Sequence, residues 1–371
     1  IHMGGTILGS ARCKDFMDLE GRRKACLNMV SLGINHLVVV GGDGSLTGAD
    51  IFRTEWPEHL SELVAAKKIT ASQQNELKHL SIVGMVGSID NDFCGTDMTI
   101  GTDSALHRII ECVDSIITTA ESHKRGFVIE IMGRHAGYLA LSSGLSVGAD
   151  FVFIPELPPE KNWRDNLCHT VTSFLNRGKK YAIVLVAEGA HDKSGVPITS
   201  NEVKEVLSKQ LKLDSRVTVL GHVQRGGSPS AYDRILGSRQ GIEAAFNVLM
   251  ATPSDPSYVI CTKNIHVCRV PLSECISMCN GIKCAFKDLD IDRVVQLRGG
   301  SFIRSLELFK TLQNLVPCRN NVNSERYTFS IIHSGAPSAG MDPCSRAFVI
   351  WCLSKGHSII GFKNGFEGVV N

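Results

Sequence analysis

Short apolar runs alternate along the chain with longer segments in which apolar residues recur every three or four positions. The runs are typical of buried β-strands and lie at residues 34–40, 82–86, 127–132, 182–187 and 217–223. Helical spacing is clearest at Leu106, Ile109, Ile110, Val113, Ile116 and Ile117, and it recurs less strictly at Ile235, Ile242, Ala245 and Leu249. Strand and helix in alternation predict βαβ units and a mainly parallel sheet, which is an α/β fold.

Two stretches interrupt this alternation. Residues 58–78 are mostly polar and predict a helical excursion on the surface. Around residues 316–326 the sequence becomes polar and loses its periodicity, which is typical of a linker, and a new strand begins at Phe329. The chain therefore divides into a long first part and a short second part.

A polar or glycine-containing motif follows each of the five predicted strands. The motifs are residues 41–45, 87–97, 132–135, 188–189 and 222–227. The carboxyl ends of parallel strands lie along one edge of a sheet, and open α/β sheets bind ligands at that edge. We therefore expect these motifs, although far apart in sequence, to form one binding site.

The segment after the second predicted strand contains three carboxylates, those of Asp90, Asp92 and Asp97. If the extended backbone persists, Asp90 and Asp92 project to the same side, because strand side chains alternate. Two like charges repel and are tolerated where a metal, a phosphate-bound cation or a transferred proton shares the site. The segment is a candidate for catalysis; the alternative is an Asp-rich turn whose side chains cap backbone N–H groups.

The motif Gly41-Gly42-Asp43-Gly44-Ser45 joins a strand to a helical segment. Glycines allow backbone N–H groups to approach a phosphate, and the N-terminus of the following helix favours an anion. The carboxylate of Asp43 could ligate a Mg²⁺ ion that bridges phosphate oxygens. The alternative is a tight strand-to-helix turn without a ligand.

Arginines flank two of the predicted strands: Arg125 and Arg134 enclose one, and Arg216 and Arg225 enclose another. The planar guanidinium suits phosphate oxygens, so these four residues together have the composition of a sugar-phosphate clamp. If the last strand is regular, His222 shares a face with Arg216, although a lone histidine is equally typical of a core.

A glutamate, Glu188, ends the apolar run at residues 182–187. Its carboxylate could accept hydrogen bonds from sugar hydroxyls, but a charged residue at the end of a buried strand is equally ordinary. Its assignment therefore depends on the neighbouring motifs.

The composition narrows the class of protein further. With 371 residues, 43% of them hydrophobic and 20% charged, the chain has an ordinary globular composition and sufficient length for two or three domains. The net charge of +2, without a long run of one sign, does not indicate binding to nucleic acid or an anionic membrane. No apolar stretch is long enough to cross a bilayer and the first residues do not resemble a leader, so we expect a soluble, unsecreted protein.

Thirteen cysteines are scattered at irregular spacing. An odd number in so long a chain favours reduced thiols in a cytosolic protein over a disulfide framework. Cys268, Cys275, Cys279 and Cys284 lie closest together but lack the paired C-x-x-C spacing of a zinc site. We interpret these four as core or surface thiols on a helix.

The motifs occur in the order found in the eukaryotic ATP-dependent 6-phosphofructokinases, and the chain resembles that family. The resemblance covers about residues 4–300 and rests on residues 41–50, 87–102, 132–134 and 221–227. Residues 334–341 and 361–368 further resemble the opening of the family's second, duplicated half.

This resemblance implies a phosphofructokinase-like fold of two doubly wound lobes with mainly parallel sheets. The implied divisions are an ATP-binding lobe at residues 1–101 and 224–264, a sugar-phosphate lobe at 102–223 and 265–315, a linker at 316–330, and the start of the second half at 331–371. The family's opening strand and glycine loop precede the part that this chain resembles, so the nucleotide lobe would be incomplete. An incomplete lobe would expose a sheet edge and an apolar face, unless residues 331–371 fill the vacant place.

The resemblance also implies a role for each motif residue. Asp90 would accept the proton of the sugar hydroxyl, supported by Asp92, and Arg134 would balance charge on the moving phosphoryl group. The nucleotide site for ATP would contain Arg12, Cys13, Gly42, Asp43, Gly44 and Ser45, with Asp43 as the Mg²⁺ ligand. Fructose 6-phosphate would contact Ser88, Ile89, Asp90, Met132, Gly133, Arg134, Glu188, His222, Val223, Gln224 and Arg225. Arg125 and Arg216 would complete the site of a neighbouring subunit, so the resemblance implies a homo-oligomer, a tetramer in the family.

The implied reaction transfers a phosphoryl group from MgATP to the 1-hydroxyl of fructose 6-phosphate in the cytoplasm. Gly44 and Gly87 stand where pyrophosphate-using relatives carry Asp and Lys, which favours ATP as the donor. One alternative is a non-catalytic truncated isoform or regulatory subunit that retains sugar-phosphate binding. Another is a lipid or NAD kinase, which would not be expected to add the Met-Gly-Arg and His-x-x-Arg motifs.

Overall fold

The structure, a computed structural model, describes residues 1–315 and 326–371. The described chain forms two compact units, residues 1–303 and residues 304–371. The strands in chain order are β1 (His36–Gly41), β2 (Ser81–Val86), β3 (Gly126–Ile131), β4 (Phe151–Phe153), β5 (Ala182–Ala187), β6 (Ser215–Val219), β7 (Tyr258–Lys263), β8 (His266–Pro271), β9 (Thr328–Ile332) and β10 (Ser358–Phe362).

Helices connect most of these strands. In chain order they are α1 (Leu19–Ser31), α2 (Asp43–Ala65), α3 (Ala71–Glu76), α4 (Thr102–His123), α5 (Tyr138–Val147), α6 (Trp163–Asn176), α7 (Ser200–Gln210), α8 (Ala231–Met250), α9 (Leu272–Lys287), α10 (Ile291–Arg298), α11 (Gly300–Asn314), α12 (Met341–Ser354) and α13 (Glu367–Val370). Short 3₁₀ turns occupy Asp15–Met17 and Gly221–Arg225.

Local sequence explains where several of these helices begin. The side chains of Thr199, Ser230 and Asp290 accept hydrogen bonds from backbone N–H groups in the first turns of α7, α8 and α10. Such N-caps satisfy donors that have no partner inside the helix. At the other end, α5 stops at Gly148, whose left-handed backbone is typical of a helix C-terminus.

The first sheet has the strand order β1-β2-β7-β8. The strands β1, β2 and β7 are parallel, whereas β7 and β8 form an antiparallel hairpin. Helices α1 and α2 pack on one face through Cys26, Phe52 and Trp56, all nearly inaccessible to solvent. The absence of a side chain at Gly84 makes room for Leu46 of α2, because a Cβ there would lie 2.7 Å from the leucine Cδ2.

The second sheet has the order β4-β5-β3-β6 and is parallel throughout. Its central strands β3 and β5 are buried over almost their whole length. Trp163 of α6 and Leu207 of α7 join Val128 and Val184 in the core on one face of this sheet. Burial on both faces explains why these strands read as continuous apolar runs in the sequence.

In the second unit, β9 and β10 form a two-stranded parallel sheet connected through α12. Residues 316–325 of the predicted linker lie outside the described residues. Its last residues, 328–330, belong to β9 instead. The predicted start of the second half at residue 331 therefore falls inside a strand.

Several sequence expectations need correction. The stretch 58–78 is not simply a polar surface excursion: α2 extends into it as far as Ala65, and Leu60 and Leu63 are buried. The predicted strand at 217–223 ends at Val219 and is followed by the 3₁₀ turn. Regular strand alternation therefore does not place His222 beside Arg216.

The predicted lobe boundaries also do not coincide with the way the strands divide between the two sheets. Residues 265–315 were assigned to the sugar-phosphate lobe, but β8 completes the first sheet and the helix α9 packs on it. The antiparallel hairpin explains this difference, because β8 returns directly beside β7 instead of crossing to the second sheet.

An apolar surface lies at one side of the first unit. The strand β1 is at the edge of its sheet, and Val38 and Val40 are 38% and 59% exposed. Helix α8, which packs on the same sheet, exposes a set of large apolar side chains, Ile235, Ile242, Phe246, Leu249 and Met250. The first unit thus presents an open sheet edge and an apolar helix face.

The described cysteines are all free thiols. Cys275 and Cys279 lie in the core on α9 and Cys284 is exposed on the same helix, but Cys268 lies on β8. Among the described helices, none has the length and apolarity that crossing a bilayer requires.

Candidate active site

Asp90 lies at a point where charged residues from several strand ends meet. Burial raises the pKa of Asp90, and the charges of Asp92 and Glu188 raise it further, whereas Arg225 and His135 lower it. These residues follow β2, β3, β5 and β6. The structure therefore brings motifs from both sheets of the first unit together around one carboxylate.

The turn that carries Asp90 is held by its neighbours. Ser88 donates its hydroxyl to Asp92 Oδ1 at 2.9 Å, and Asn91 bonds to the backbone of Asp97 and Thr99 at 3.1 and 2.9 Å. Asn91 is left-handed, with φ of 51°. The two aspartates therefore do not follow strand alternation, although they remain close neighbours.

The carboxylates of this turn have different surroundings. Asp90 Oδ1 is buried and has no hydrogen-bond partner in the described part of the chain. Asp97 Oδ2 instead accepts the backbone N–H of Asn264 at 2.5 Å, which is a structural role. A buried acceptor without a partner is costly unless another group supplies the hydrogen bond, so Asp90 is the carboxylate suited to accept a proton from a ligand.

Asp43 is the first residue of α2 and is separated from the end of β1 only by Gly42. Its Oδ2 accepts a hydrogen bond from Lys283 Nζ of α9 at 2.5 Å, while its Oδ1 is buried without a partner among the described residues. The hydrogen bond to Asp43 raises the pKa of Lys283, and burial of the ammonium group lowers it. The charges of Asp43, Cys279 and Asp92 raise the pKa further.

The surroundings of Asp43 fit a magnesium ion bound together with a phosphate. Mg²⁺ prefers oxygen ligands and commonly takes one or two carboxylates, with the remaining positions filled by water and phosphate. Asp43 offers one unpartnered carboxylate oxygen at a helix N-terminus. The described residues contain no cluster of three or more His, Cys, Asp or Glu side chains that could hold a metal alone.

The glycines around Asp43 leave space at the helix start. A Cβ at Gly44 would meet nothing within 4 Å, whereas one at Gly41 would lie 2.7 Å from the Ser45 Cβ. Gly41 is therefore required by packing, and Gly44 leaves an open approach. Gly42 precedes the helix with an extended backbone, and its carbonyl accepts the backbone N–H of Ser45 at 3.0 Å.

Arg12 and Cys13 lie in an exposed segment that precedes the first regular helix. The described hydrogen bonds and ion pairs do not connect them to Asp43. Earlier in the same segment, Gly4 passes so close to Gly227 that a Cβ would lie 1.9 Å from the Gly227 carbonyl oxygen.

A second group of predicted residues follows β3 and β5. Arg134 Nη2 lies 3.1 Å from Glu188 Oε1, and both side chains are partly exposed. The loop between Met132 and Gly137 is tightly wound: Gly133 has φ of 130°, and a Cβ there would lie 2.2 Å from the Ala136 carbonyl oxygen. Only glycine fits this position without moving the backbone.

The 3₁₀ turn after β6 presents its residues in different directions. His222, Val223 and Arg225 are exposed, whereas Gln224 is buried. Gln224 Oε1 accepts the backbone N–H of Met132 at 3.1 Å, and its amide nitrogen donates to the Gly221 carbonyl at 3.0 Å. Gln224 thus connects the loop after β3 to the turn after β6 through its side-chain hydrogen bonds.

Arg125 and Arg216 lie at the opposite edge of the second sheet. Arg125 precedes β3 and Arg216 is near the start of β6. Both bind the carboxylate of Asp214; Arg125 Nε lies 2.7 Å from Oδ2, and Arg216 reaches Oδ1. Both arginines thus pair with Asp214, and the described contacts do not connect them to the Asp90 cluster.

Two buried residues that the motifs did not identify connect the site loops. Arg298, the last residue of α10, pairs with Glu156 at 3.0 Å and donates to the carbonyl oxygens of Asp92, at 3.0 Å, and His135. Glu156 in turn accepts the backbone N–H of Gly137 at 2.9 and 3.2 Å. This pair fixes the carboxylate turn against the arginine-bearing loop.

The α9 helix supports the same region. The backbone N–H of Cys94 donates to Cys279 Sγ at 3.3 Å, and Lys283 lies one turn further along α9. No sequence motif indicates a site role for Cys279, Lys283 or Arg298, because all three lie far from any strand-end motif. Glu156 does follow β4, but that strand has only 3 residues and was not recognisable as an apolar run.

Buried and unpartnered carboxylates, a helix N-terminus and exposed arginines meet at the strand ends of two α/β sheets, a combination typical of sites for phosphate-bearing ligands. The phosphofructokinase family matches residues 1–248. The chain belongs to this family, and its two α/β sheets show the corresponding fold.

Individual relatives agree with this assignment. The chain is 52% identical over 369 residues to the muscle-type ATP-dependent 6-phosphofructokinase of Canis lupus familiaris, and 51% identical over 369 residues to that of Homo sapiens. These matches cover 100% of this chain but 47% of each relative. The chain thus spans about half the length of these relatives.

Solved structures of phosphofructokinases from two yeasts are also similar. The structure from Saccharomyces cerevisiae has a TM-score of 0.94 at 44% identity and covers 100% of this chain and 50% of that one. The T-state structure from Pichia pastoris has a TM-score of 0.91 at 45% identity and covers 100% and 39%.

Proposed function

We propose that the chain forms the catalytic part of an ATP-dependent 6-phosphofructokinase, which transfers a phosphoryl group from MgATP to the 1-hydroxyl of fructose 6-phosphate. The observation that carries the proposal is the buried, unpartnered Asp90 Oδ1 at the meeting point of four strand-end motifs. We place the reaction in the cytoplasm, as expected for a glycolytic enzyme.

Asp90 acts as the general base. Its position allows the free Oδ1 to accept a hydrogen bond from a sugar hydroxyl, and its raised pKa makes it a better proton acceptor than an ordinary aspartate. Asp92, which accepts the Ser88 hydroxyl, raises the pKa of Asp90 through its charge. The two carboxylates thus have different functions.

Asp43, Gly42, Gly44 and Ser45 form the nucleotide side of the site. A Mg²⁺ ion held by Asp43 would neutralise charge on the ATP phosphates. The open approach at Gly44 gives the nucleotide access to the start of α2, where backbone N–H groups favour an anion. Arg12 and Cys13 would join this side from the exposed N-terminal segment.

Arg134, Glu188, His222 and Arg225 form the sugar side. Arg134 stabilises the charge of the transferred group, and its partner Glu188 can accept hydrogen bonds from sugar hydroxyls. The exposed side chains of His222 and Arg225 bind the 6-phosphate. Ser88, Ile89, Met132, Gly133, Val223 and Gln224 shape or support this side.

The site is completed by a second subunit in a homo-oligomer, as a family tetramer would provide. A strand of six residues spans about 20 Å, so the pair Arg125 and Arg216 lies too far from Met132 to serve the same sugar phosphate within one chain. Around their shared partner Asp214, the two arginines present cationic groups that can meet a 6-phosphate on a neighbouring copy.

The alternative is a non-catalytic form or regulatory subunit that binds the sugar phosphate without turnover. It is favoured by the exposed edge strand β1 and the apolar face of α8, which lie beside the nucleotide side of the site. Binding measurements separate the two functions. Affinity for both fructose 6-phosphate and ATP, with ADP produced, supports the kinase; sugar-phosphate binding without ATP binding supports the alternative.

A further inference from the structure

Lys283 is a cation in the proposed nucleotide site that no strand-end motif contains. It lies on α9, and its Nζ is 2.5 Å from Oδ2 of Asp43, the carboxylate expected to hold Mg²⁺. The lysine side chain is 53% exposed and the Asp43 side chain 22% exposed, so the pair lies at the boundary between core and solvent.

The position of the ammonium group is set by the helix. Cys279, one turn before Lys283, accepts the Cys94 backbone N–H and packs in the core of the first sheet. Asn280 Oδ1 lies 3.4 Å from Lys283 Nζ. Packing of α9 on the sheet therefore places the lysine stem beside the start of α2.

The charged groups around Lys283 belong to the proposed nucleotide site and to the carboxylate turn. Asp43 lies on one side, and the charge of Asp92 in the carboxylate turn also acts on the ammonium group. In the proposed reaction a phosphoryl group moves from a nucleotide near Asp43 to a hydroxyl near Asp90, so Lys283, which contacts Asp43, lies at the nucleotide end of this transfer. A cation at this point attracts phosphate oxygens by the same interaction that holds it to Asp43.

We propose that Lys283 is a further residue of the nucleotide site, which competes with the divalent cation for Asp43 and binds phosphate oxygens once that cation takes its place. The inference rests on the proposed function, because it assigns Asp43 to the metal. Lys283 occupies Oδ2 and leaves Oδ1 for the metal, so the two cations would share one carboxylate and repel each other, and the lysine lowers the affinity of Asp43 for the metal alone.

Mn²⁺ binding to the purified chain, followed by electron paramagnetic resonance without nucleotide, tests the competition directly. K283Q and K283M remove the charge, and we expect both to bind Mn²⁺ about three- to tenfold more tightly than the wild type. K283R retains a cation and should bind Mn²⁺ like the wild type. In the D43N background, adding K283Q should produce no further change.

Lys287 provides the matched control, because it is exposed on the same helix and carries the same charge. K287Q should leave Mn²⁺ affinity within about twofold of the wild type, since charges in water are strongly screened. An equal gain in K287Q and K283Q would overturn the proposal, because it would reflect net charge alone. Unchanged or unmeasurable Mn²⁺ binding in both K283Q and K283M would overturn it as well.

The second half of the proposal concerns the phosphate. With Mn²⁺ at saturating concentration and no sugar phosphate present, K283Q should bind ATP about three- to tenfold more weakly than the wild type and K287Q should not. Equal ATP affinity of K283Q and wild type would overturn this half. None of these measurements uses turnover, so the proposed kinase activity and the role of Lys283 can fail independently.

Discussion

Arg298 and Glu156 form an ion pair in the interior of the first unit, with side chains only 4% and 0% exposed and Nε 3.0 Å from Oε1. The pair joins the backbone of the turn that carries Asp90 and Asp92 to the loop that carries Arg134. A buried pair of this kind contributes through the order it imposes, because desolvation offsets much of the attraction.

Removing one partner of this pair should destabilise the fold strongly. E156Q leaves the Arg298 guanidinium buried without its counter-charge, and we expect a loss of about 3–5 kcal/mol in the free energy of unfolding. Urea denaturation measures it. The exposed pair Lys193 and Glu160 is the control, and E160Q should cost less than about 1 kcal/mol. Similar losses in E156Q and E160Q would contradict the buried role.

Replacing Asp90 should separate chemistry from binding. In the full-length enzyme, D90N removes the proton acceptor but keeps the shape, so kcat should fall about 10²–10⁴-fold with little change in the affinity for fructose 6-phosphate. Steady-state kinetics and equilibrium binding measure the two quantities. Unchanged turnover would remove Asp90 from the role of base.

The raised pKa of Asp90 predicts how stability depends on pH. The folded state holds the proton more tightly than the unfolded state, so this contribution is fully present below the unfolded pKa and is lost as pH rises through the folded pKa. D90N should therefore be more stable than the wild type at neutral pH, and the difference should disappear below about pH 3. Denaturation at both pH values tests this; D288N, at an exposed aspartate, should show no such difference.

Subunit mixing should show whether Arg216 serves a neighbour's site. D90N and R216Q subunits are each expected to be nearly inactive, but a mixed dimer contains one site with both residues intact. Random equal mixing should restore about a quarter of wild-type activity. Mixing D90N with R134Q is the control, because those residues belong to the same subunit's site and no intact site forms. Equal recovery in both mixtures, or none in the first, would contradict a shared site.

The apolar face of α8 should make the chain self-associate. Ile242 and Phe246 are 67% and 66% exposed, and a contiguous apolar surface favours association. The double variant I242K/F246K should remain monomeric at higher concentration in light-scattering measurements, with little change in the free energy of unfolding. S238K/A245K adds the same charge on the same helix but retains Ile242 and Phe246. If this control variant reduces self-association as much as I242K/F246K does, the added charge rather than the loss of apolar contact causes the reduction.

Sequence reasoning identified the strands of the first unit best where both faces are buried. The prediction for β5 matches its observed bounds, because a continuous apolar run has clear limits. It failed after Val219, where apolar residues continue into a 3₁₀ turn and hydrophobicity alone cannot distinguish the two conformations. The left-handed Asn91 was similarly invisible to a rule based on alternation.

The site shows the same division. Residues in strand-end motifs, such as Asp90 and Glu188, lie together in the structure, as the edge of a parallel sheet predicts. Arg298 and Lys283 were missed because each acts across a long separation in sequence, from a helix without a motif of its own. Such contacts depend on how helices pack, and no local pattern specifies that.

The strand β7 and the helices α9 and α10 all lie after residue 248, where the match to the family ends. A version of the protein cut at that residue would keep every motif by which the family is recognised. It would lose the strand between β2 and β8, together with Cys279, Lys283 and Arg298. The segment by which the family is recognised is therefore shorter than the segment needed to hold the carboxylates of the site in place.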